Sequence, residues 1–321
     1  MAPTVVWVLA GPADPGLAAL SPAPDGVVFV VGDKVEHFAD APPPDAILVC
    51  WVGRRVLEPV FAMAPRVRWV HSRSAGVEKT VFPALAASDA VMTNGRGVFS
   101  VALAEFVIGS VLYFARGFPR LLKSQAEAKW EEFDAEPVAG RTLGIVGYGD
   151  IGRATAVRAR ALDMRILALR RRPQESKGDP LVDEVLPREA LPELMRRSDD
   201  VAVALPLTPE TQGFVNAAAL AQMKRSAVFV NVGRGPVIDE AALVAALAAR
   251  RIKGAALDVF EREPLPADHP FWRMDNLLLS PHSADHTPGW LDDAMRAFLR
   301  NLERFRRGEP LEAVVDKARG Y

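Results

Sequence analysis

This 321-residue sequence contains one cysteine, Cys50, so no disulfide can form within the chain. Cys50 sits near the end of the apolar run at residues 46–51, which reads as a buried strand and suits a reducing compartment. An excess of one charge is also missing. The 39 basic residues stand against 40 acidic ones, which excludes a dominant electrostatic pull toward nucleic acid or an anionic membrane. The first apolar run, residues 5–10, has no basic flank and is followed by prolines, so it reads as a strand and not as a signal peptide. Residues 99–118 come nearest to a membrane-length segment. Glu105, Arg116 and two glycines interrupt them, and a long helix buried between domains or subunits is expected instead. These absences together point to a soluble, cytoplasmic protein. No internal repeat or low-complexity tract stands out.

What the chain has is apolar residues in short, spaced runs. Half of its residues are hydrophobic, which excludes disorder, and the length allows two domains with separate cores. Over residues 1–98 strands are expected at 4–9, 27–31, 46–51, 67–71 and 90–93, with helices at 54–64 and 77–87 between them. Such alternation predicts a mostly parallel sheet. Ser100 is the expected N-cap of the long helix, which should run to about Ala115 and end at Gly117 and Pro119. A polar amphipathic segment follows through Gln125 to Trp130.

Strand-helix alternation resumes at Arg141. Strands are expected at 143–147, 165–169, 200–205, 227–232, 254–259 and 276–280, with helices filling the gaps. At the first of these, Gly147-Tyr148-Gly149-Asp150-Ile151-Gly152 has glycines at G-x-G-x-x-G spacing, after an apolar strand and before a helical pattern at residues 153–162. The first glycine allows a tight turn, the second admits a pyrophosphate and the third lets helix pack on strand. The helix N-terminus then offers N–H groups to phosphate. A purely structural glycine turn is the bland alternative, but the strand-turn-helix context favours a dinucleotide site. The last helix, about 289–307, should return the chain to the first domain. The expected fold class is therefore α/β: two doubly wound parallel-sheet domains, with a Rossmann cofactor domain (99–285) inserted in a discontinuous flavodoxin-like substrate domain (1–98 and 286–321).

Ligands of open parallel sheets lie beyond the carboxyl ends of the strands. Three side chains follow such ends: Arg234, Glu263 and His282. An arginine fork matches a carboxylate and stabilises charge developing on a carbonyl; a histidine beside a carboxylate delivers a proton near neutral pH. Singly, each has an ordinary reading as a turn-bonding arginine, a solvated glutamate and a strand-end histidine. His37, His71 and His269 lack such a setting and read as structural or surface residues. His286 lies four residues past His282, but Pro281 and Pro288 oppose a helix that would align the two, and no metal site is expected.

Taken together, the glycine turn, the Leu205-Pro206-Leu-Thr-Pro-Glu-Thr211 segment, Asn231-Val232-Gly233-Arg234-Gly235, the stretch from Asp258 through Glu263 to Leu265, and Ser280-Pro281-His282 resemble the D-isomer-specific 2-hydroxyacid dehydrogenases, in that family's order and spacing. The resemblance runs from about residue 45 to the last helix. It implies that Arg234 binds the substrate carboxylate and carbonyl, that His282 is the acid/base, and that Glu263 orients and tunes His282. It further implies that Ser74, Ala75 and Gly76 hold the carboxylate, and that Gly147 to Gly152, Leu205, Pro206, Thr211, Val232, Gly233 and Asp258 line the cofactor. A homodimer through the cofactor domain, with residues 99–130 as the arm, is implied as well. Two segments depart from the family: Val203-Ala-Leu-Pro206 lacks a histidine often found there, and residues 283–290 are not the usual run of small residues.

A third departure concerns the cofactor. Eighteen residues past Gly152, where an NAD enzyme usually places a carboxylate for the ribose hydroxyls, stand Arg170, Arg171 and Arg172. A carboxylate repels a 2'-phosphate and arginines bind it, so NADP is the expected preference, with NAD left open. The expected reaction is reduction of a small 2-keto acid, of glyoxylate or hydroxypyruvate type, to the D-2-hydroxy acid. Trp51, Arg96 and Trp290 are candidates for shaping the substrate pocket. The rivals are an NAD(P)H-sensing binding protein of the same fold without turnover and a formate-oxidising relative.

Overall fold

The structure is a computed structural model and describes residues 2–320. It divides into two compact units, one formed by the chain up to Phe99 together with the segment from Thr287 onward, the other by Ser100–His286.

The first unit contains β1 (Thr4–Leu9), β2 (Val27–Gly32), β3 (Ala46–Val49), α1 (Arg54–Ala62), β4 (Trp69–Ser72), α2 (Pro83–Ala87) and β5 (Val91–Asn94). Its five strands are all parallel, in the order β2-β1-β3-β4-β5. The central strands bury both faces, which is why they read as unbroken apolar runs. The strand expected over 46–51 stops at Val49: Cys50 is buried, its thiol pushed up to about 12 by burial, while Trp51 turns outward with a φ of 58°. The helix expected over 77–87 is only α2, because Pro83 starts it and the preceding residues form turns.

The second unit begins with α3 (Ser100–Ala115) and α4 (Phe118–Ala126). Ser100 is the first helical residue and not the cap. Gly117, at φ 69°, separates the two helices, which bend by 63°, and Pro119 opens α4 because its missing N–H is harmless in a first turn. Helix α4 stops at Ala126, short of the expected Trp130. Then follow β6 (Thr142–Val146), α5 (Asp150–Arg160), β7 (Arg165–Leu169), β8 (Glu184–Leu186), α6 (Leu191–Arg197), β9 (Asp200–Val203), α7 (Ala217–Leu220), β10 (Val228–Asn231), α8 (Glu240–Ala248), β11 (Gly254–Leu257) and β12 (Leu277–Leu279). The seven parallel strands run β12-β11-β10-β9-β6-β7-β8, so the chain reverses direction across the sheet between β6 and β9. Helix α3 packs on α5 and on β10 and β11 of its own unit, with Phe114 against Gly254. No single helix among the described residues is long and apolar enough to cross a membrane.

Two expectations in this unit fail. Strand β8 was not expected, and the connection from β11 to β12 holds a short 3-10 turn, Pro270–Arg273, and no α-helix. Pro264, Pro266 and Pro270 account for the second, since each removes a donor that a helix interior needs.

Helix α9 (Trp290–Arg307) belongs to the first unit, where Met295, Phe298 and Leu302 pack on Val6, Val8, Leu48 and Trp69. The tail beyond it covers the edge strand β5 through Val315 N–H to Met92 O, protecting backbone groups that would otherwise template another chain. Beneath α9 lies His71, fully buried. Trp69 Nε1 donates to Thr93 Oγ1 at 2.8 Å, so the Thr93 hydroxyl donates in turn to His71 Nδ1 at 2.7 Å. The remaining ring N–H, at Nε2, finds no partner among the described residues.

Burial lowers the His71 pKa to about 3. Below pH 6.5 the unfolded chain therefore takes up a proton that the folded one refuses, and stability falls as the pH drops from 6.5 toward 3. The loss is about 1.4 kcal/mol per pH unit. Urea unfolding should show about 2 kcal/mol less stability at pH 5 than at pH 7 from this residue. His71→Phe should lack that part of the slope, and an unchanged slope would remove His71 as its source.

Candidate active site

Four loops at the carboxyl ends of the second unit's strands carry the residues of interest. The first is the glycine turn after β6. Gly147 has a φ of 101°, and a Cβ there would stand 2.8 Å from Ala204 O; at Gly152 it would stand 2.5 Å from Gly147 O. Gly149 differs, since nothing lies within 4 Å of its Cβ position. It is the N-cap of α5 in extended conformation, with no side-chain capping bond. The first-turn N–H groups of an eleven-residue helix thus meet an open approach at the point where the sheet order reverses. These residues fit a dinucleotide pyrophosphate. Asp150 and Ile151 form the first turn of α5. The Tyr148 side chain turns inward, its hydroxyl donating to Asp179 Oδ2 at 3.1 Å, so only its backbone contributes to the turn surface.

The second loop follows β7. Arg170 donates to Glu175 Oε2 at 2.6 Å and to Ser176 Oγ, and Arg172 donates to Glu175 Oε1 at 2.8 Å. Arg171 pairs with Glu210 at 3.2 Å. Arg188, which sequence reading did not single out, pairs with the same Glu210 and lies over the Phe214 ring at 4.9 Å.

The third loop runs from β9. Thr211 folds it from within, accepting from Thr208 N–H at 2.8 Å and donating to Pro206 O at 2.6 Å. Gly233 packs on it so closely that a Cβ would lie 2.5 Å from Leu205 O, and Val232 N–H donates to Val203 O. Leu205 and Val232, expected at strand ends, are therefore loop residues.

The fourth region joins the ends of β10, β11 and β12. Buried Asn231 shapes the Arg234 turn, donating from Nδ2 to Arg234 O at 3.1 Å and accepting Gly233 N–H on Oδ1 at 3.0 Å. Arg234 donates to Gly233 O at 2.8 Å. Gly235 passes over Phe260, where a Cβ would fall 1.9 Å from the carbonyl carbon. Phe260 N–H in turn donates to Glu263 Oε1 at 3.1 Å, and Glu263 Oε2 lies 2.8 Å from His282 Nδ1. A carboxylate only accepts, so Nδ1 carries the proton in this bond and Nε2 is left for exchange with a substrate.

Asp258, buried at the end of β11, ties down the histidine loop. Its Oδ1 accepts from Ser280 Oγ at 2.6 Å, Ser283 N–H at 2.9 Å and Ala284 N–H at 3.0 Å. The loop wraps this one oxygen, and His282 is held at a φ of 53°, a left-handed conformation that a non-glycine residue keeps only when its surroundings impose it.

The hydrogen bond to Glu263 is the largest influence on His282 and raises its pKa, outweighing burial and the nearby Arg234, which lower it. Burial pushes the Glu263 carboxyl up, but its bonds to His282 and Phe260 N–H hold it below the ordinary range. The pair is thus biased toward imidazolium and carboxylate. His286 lies 3.7 Å from Asp285, and no group of three or more metal-ligating side chains occurs among the described residues.

Ser74, Ala75 and Gly76 belong to the first unit, where they follow β4. Gly95 N–H donates to Ser74 O at 3.1 Å and Asn94 Nδ2 to Ala75 O at 2.6 Å, so the loop is anchored through its carbonyls. Buried Arg73, just before it, makes a bidentate pair with Asp14 at 2.7 and 2.8 Å. Trp51, 65% exposed, meets Trp290 edge-on at 6.3 Å, and Arg96 N–H donates to Asn94 Oδ1.

This chemistry has close counterparts among known proteins. The model of the D-isomer specific 2-hydroxyacid dehydrogenase NAD-binding domain matches residues 108–284. A glyoxylate reductase of Thermofilum pendens is 34% identical over 317 residues, 95% of this chain and 92% of its own. The chain belongs to the D-isomer-specific 2-hydroxyacid dehydrogenase family. A family structure from Xanthobacter autotrophicus Py2, in complex with NADPH and MES, is 34% identical at a TM-score of 0.86, with both chains covered in full. The NADPH-dependent glyoxylate/hydroxypyruvate reductase of Sinorhizobium meliloti, in complex with NADP and sulfate, is 27% identical at 0.83, again over both full chains. As a D-2-hydroxyacid dehydrogenase family enzyme, the protein uses an NAD(P) cofactor.

Within this dehydrogenase, sequence reading missed Asn231, Gly235 and Arg188, and it gave Ser280 and Ser283 no role. A glycine beside Arg234 was visible in the motif, but its reason, a backbone crossing on Phe260, is a tertiary fact. Gly235→Ala should force the Arg234 turn away from the Glu263 turn. Overpacking of this kind costs roughly 1–3 kcal/mol. A thermal melt should show that loss together with reduced turnover, and wild-type values for both would show that the crossing has slack.

Proposed function

We propose that the protein is an NADPH-preferring reductase of small 2-keto acids, of glyoxylate or hydroxypyruvate type, yielding the D-2-hydroxy acid. The observation that carries this reading is the 2.8 Å pair of His282 and Glu263, electrostatically coupled to Arg234 at the ends of neighbouring strands. The substrates for which the two reductase relatives are named support the substrate class, and the cofactors bound in the Xanthobacter and Sinorhizobium proteins support NADPH.

The glycine turn and the N-terminus of α5 would hold the pyrophosphate, and Arg170, Arg171 and Arg172 the 2'-phosphate. When bound, the reduced cofactor supplies a hydride for C2 of the keto acid. Arg234 binds the substrate carboxylate and draws charge toward the carbonyl oxygen, where its fixed guanidinium is most useful as negative charge develops. His282 gives its Nε2 proton to that oxygen, and Glu263 keeps the imidazolium favourable until it does. In the oxidative direction His282 Nε2 takes the hydroxyl proton. Ser74, Ala75 and Gly76 are assigned to the carboxylate through their N–H groups.

A general acid contributes roughly 100- to 10,000-fold, so His282→Ala should lower kcat for glyoxylate or hydroxypyruvate by that factor. Arg234→Ala should raise KM and lower kcat together. Both are read from NADPH oxidation at 340 nm over a panel of 2-keto acids, with NADH as the parallel cofactor. Undiminished turnover in both variants would reject the assignment, and absence of turnover in the wild type would favour a nucleotide-sensing role. Because Glu263 raises the His282 pKa, reduction should fall as pH rises through that raised value. In Glu263→Gln the falling limb should move to lower pH; a limb that stays in place would break the link between the two residues.

The homodimer is proposed on the cofactor domain, supported by the exposed Phe118, Leu121 and Leu122 on α4 and by Trp130, 95% exposed just beyond it. Light scattering should give twice the chain mass, and Leu122→Glu should reduce it. A monomeric wild type would remove the dimer.

A further inference from the structure

The arginines after β7 pair with carboxylates in a regular way. Glu175 takes Arg170 on one oxygen and Arg172 on the other, and Glu210 takes Arg171 and Arg188. Four guanidiniums against two carboxylates leave these six side chains with a net charge of +2. A phosphate monoester carries about −1.5 to −2 near neutral pH, so it matches the remainder in size.

The carboxylates also occupy the donors that a phosphate needs. Glu175 engages Arg170 Nη2 and Arg172 Nη1 at 2.6 and 2.8 Å, the distances of charge-assisted bonds. Its place is fixed by the chain itself, since Pro173–Ser176 is a 3-10 turn that begins directly after Arg172. Ser176, buried behind it, takes the other Arg170 nitrogen. Two-fifths of the Glu175 side chain is exposed, and so it can leave the arginines without burying an unpaired charge.

We propose that Glu175, with Glu210 beside it, is a built-in counter-ion of the 2'-phosphate site, which holds the arginines in place of the phosphate and is displaced by it. The inference rests on the NADPH reading above and deepens it. Its consequence is a reduced separation between the two cofactors. The phosphate has to displace a bound carboxylate, whereas NADH, without a 2'-phosphate, leaves Glu175 on its arginines. The carboxylates thus moderate NADPH affinity and leave NADH less disfavoured than four bare arginines would.

The test measures calorimetric Kd values for 2',5'-ADP and 5'-AMP on the full-length wild type, Glu175→Gln and Glu175→Asp. Exposed ion pairs are weak, so removing the carboxylate should tighten 2',5'-ADP relative to 5'-AMP by roughly three- to tenfold, with Glu175→Asp in between. The 2',5'-ADP affinity of Glu175→Gln should also fall more steeply with salt. An unchanged ratio, or a weaker 2',5'-ADP complex, would overturn the inference and make Glu175 a residue that merely positions the arginines. If the wild type binds 2',5'-ADP no better than 5'-AMP, the NADPH reading itself fails and the inference falls with it. Glu210→Gln gives the same comparison should Glu175→Gln not fold.

Discussion

Three neighbouring parallel strands, β10, β11 and β12, end level with one another, and the chemistry of this dehydrogenase depends on that register. Asn231 pairs with Leu257, and Leu257 with Leu279. The loops that leave these level ends therefore start side by side, and they carry Arg234, Asp258 with Glu263, and His282. A slip of one residue in any pairing would invert the side chains of that strand and carry its loop out of line. The loops are then locked to one another in turn. Gly235 crosses on Phe260, Phe260 holds Glu263, Glu263 holds His282, and Asp258 closes the ring by gathering the loop that carries His282.

The same chain of contacts sets the charge of the site. With His282 protonated, Arg234, Glu263 and His282 sum to +1, which complements the single carboxylate of a 2-keto acid. Arg234 and Glu263 act on the histidine in opposite directions, and the hydrogen bond prevails because it is direct. Neither partner of that bond is deeply buried, with His282 40% and Glu263 34% exposed. Coupling at such a place is strong enough to bias a proton and too weak to trap it, as a group that must give up its proton and regain it requires.

The strands were legible in the sequence because parallel strands covered on both faces are continuous apolar runs. The same signal overran the ends. Trp51, Leu205 and Val232 are apolar, so they extend the pattern, yet each lies in a loop beyond the strand end. Strand β8 escaped notice because only Val185 and Leu186 mark it, between a charged residue and a proline. At the site, Arg234, Glu263 and His282 could be picked out by residue type and position after a strand. Asn231 and Gly235 could not, since their roles depend on partners that only the fold supplies. The arginines were evident as a basic run; that Glu175 and Glu210 already engage them was not, because Glu210 lies 38 residues beyond Arg172.

The amino-terminal ends of the same sheet's central strands show what this arrangement leaves free. At the start of β9, Asp200 is buried and pairs with Arg141 at 2.8 Å, while Asp200 Oδ2 and Arg141 Nε have no partner among the described residues. Burial, the largest cause, raises the Asp200 pKa to about 6 despite the arginine. A buried pair with unsatisfied atoms adds little net stability, but loss of either member would strand the other charge. Such rigidity suits the end where the strands begin, far along them from the loops that bind and react. The His282–Glu263 pair at the other end is partly exposed and joined through a single hydrogen bond. One set of strands thus carries fixed charges where its position must not change and exchangeable ones where a proton has to move.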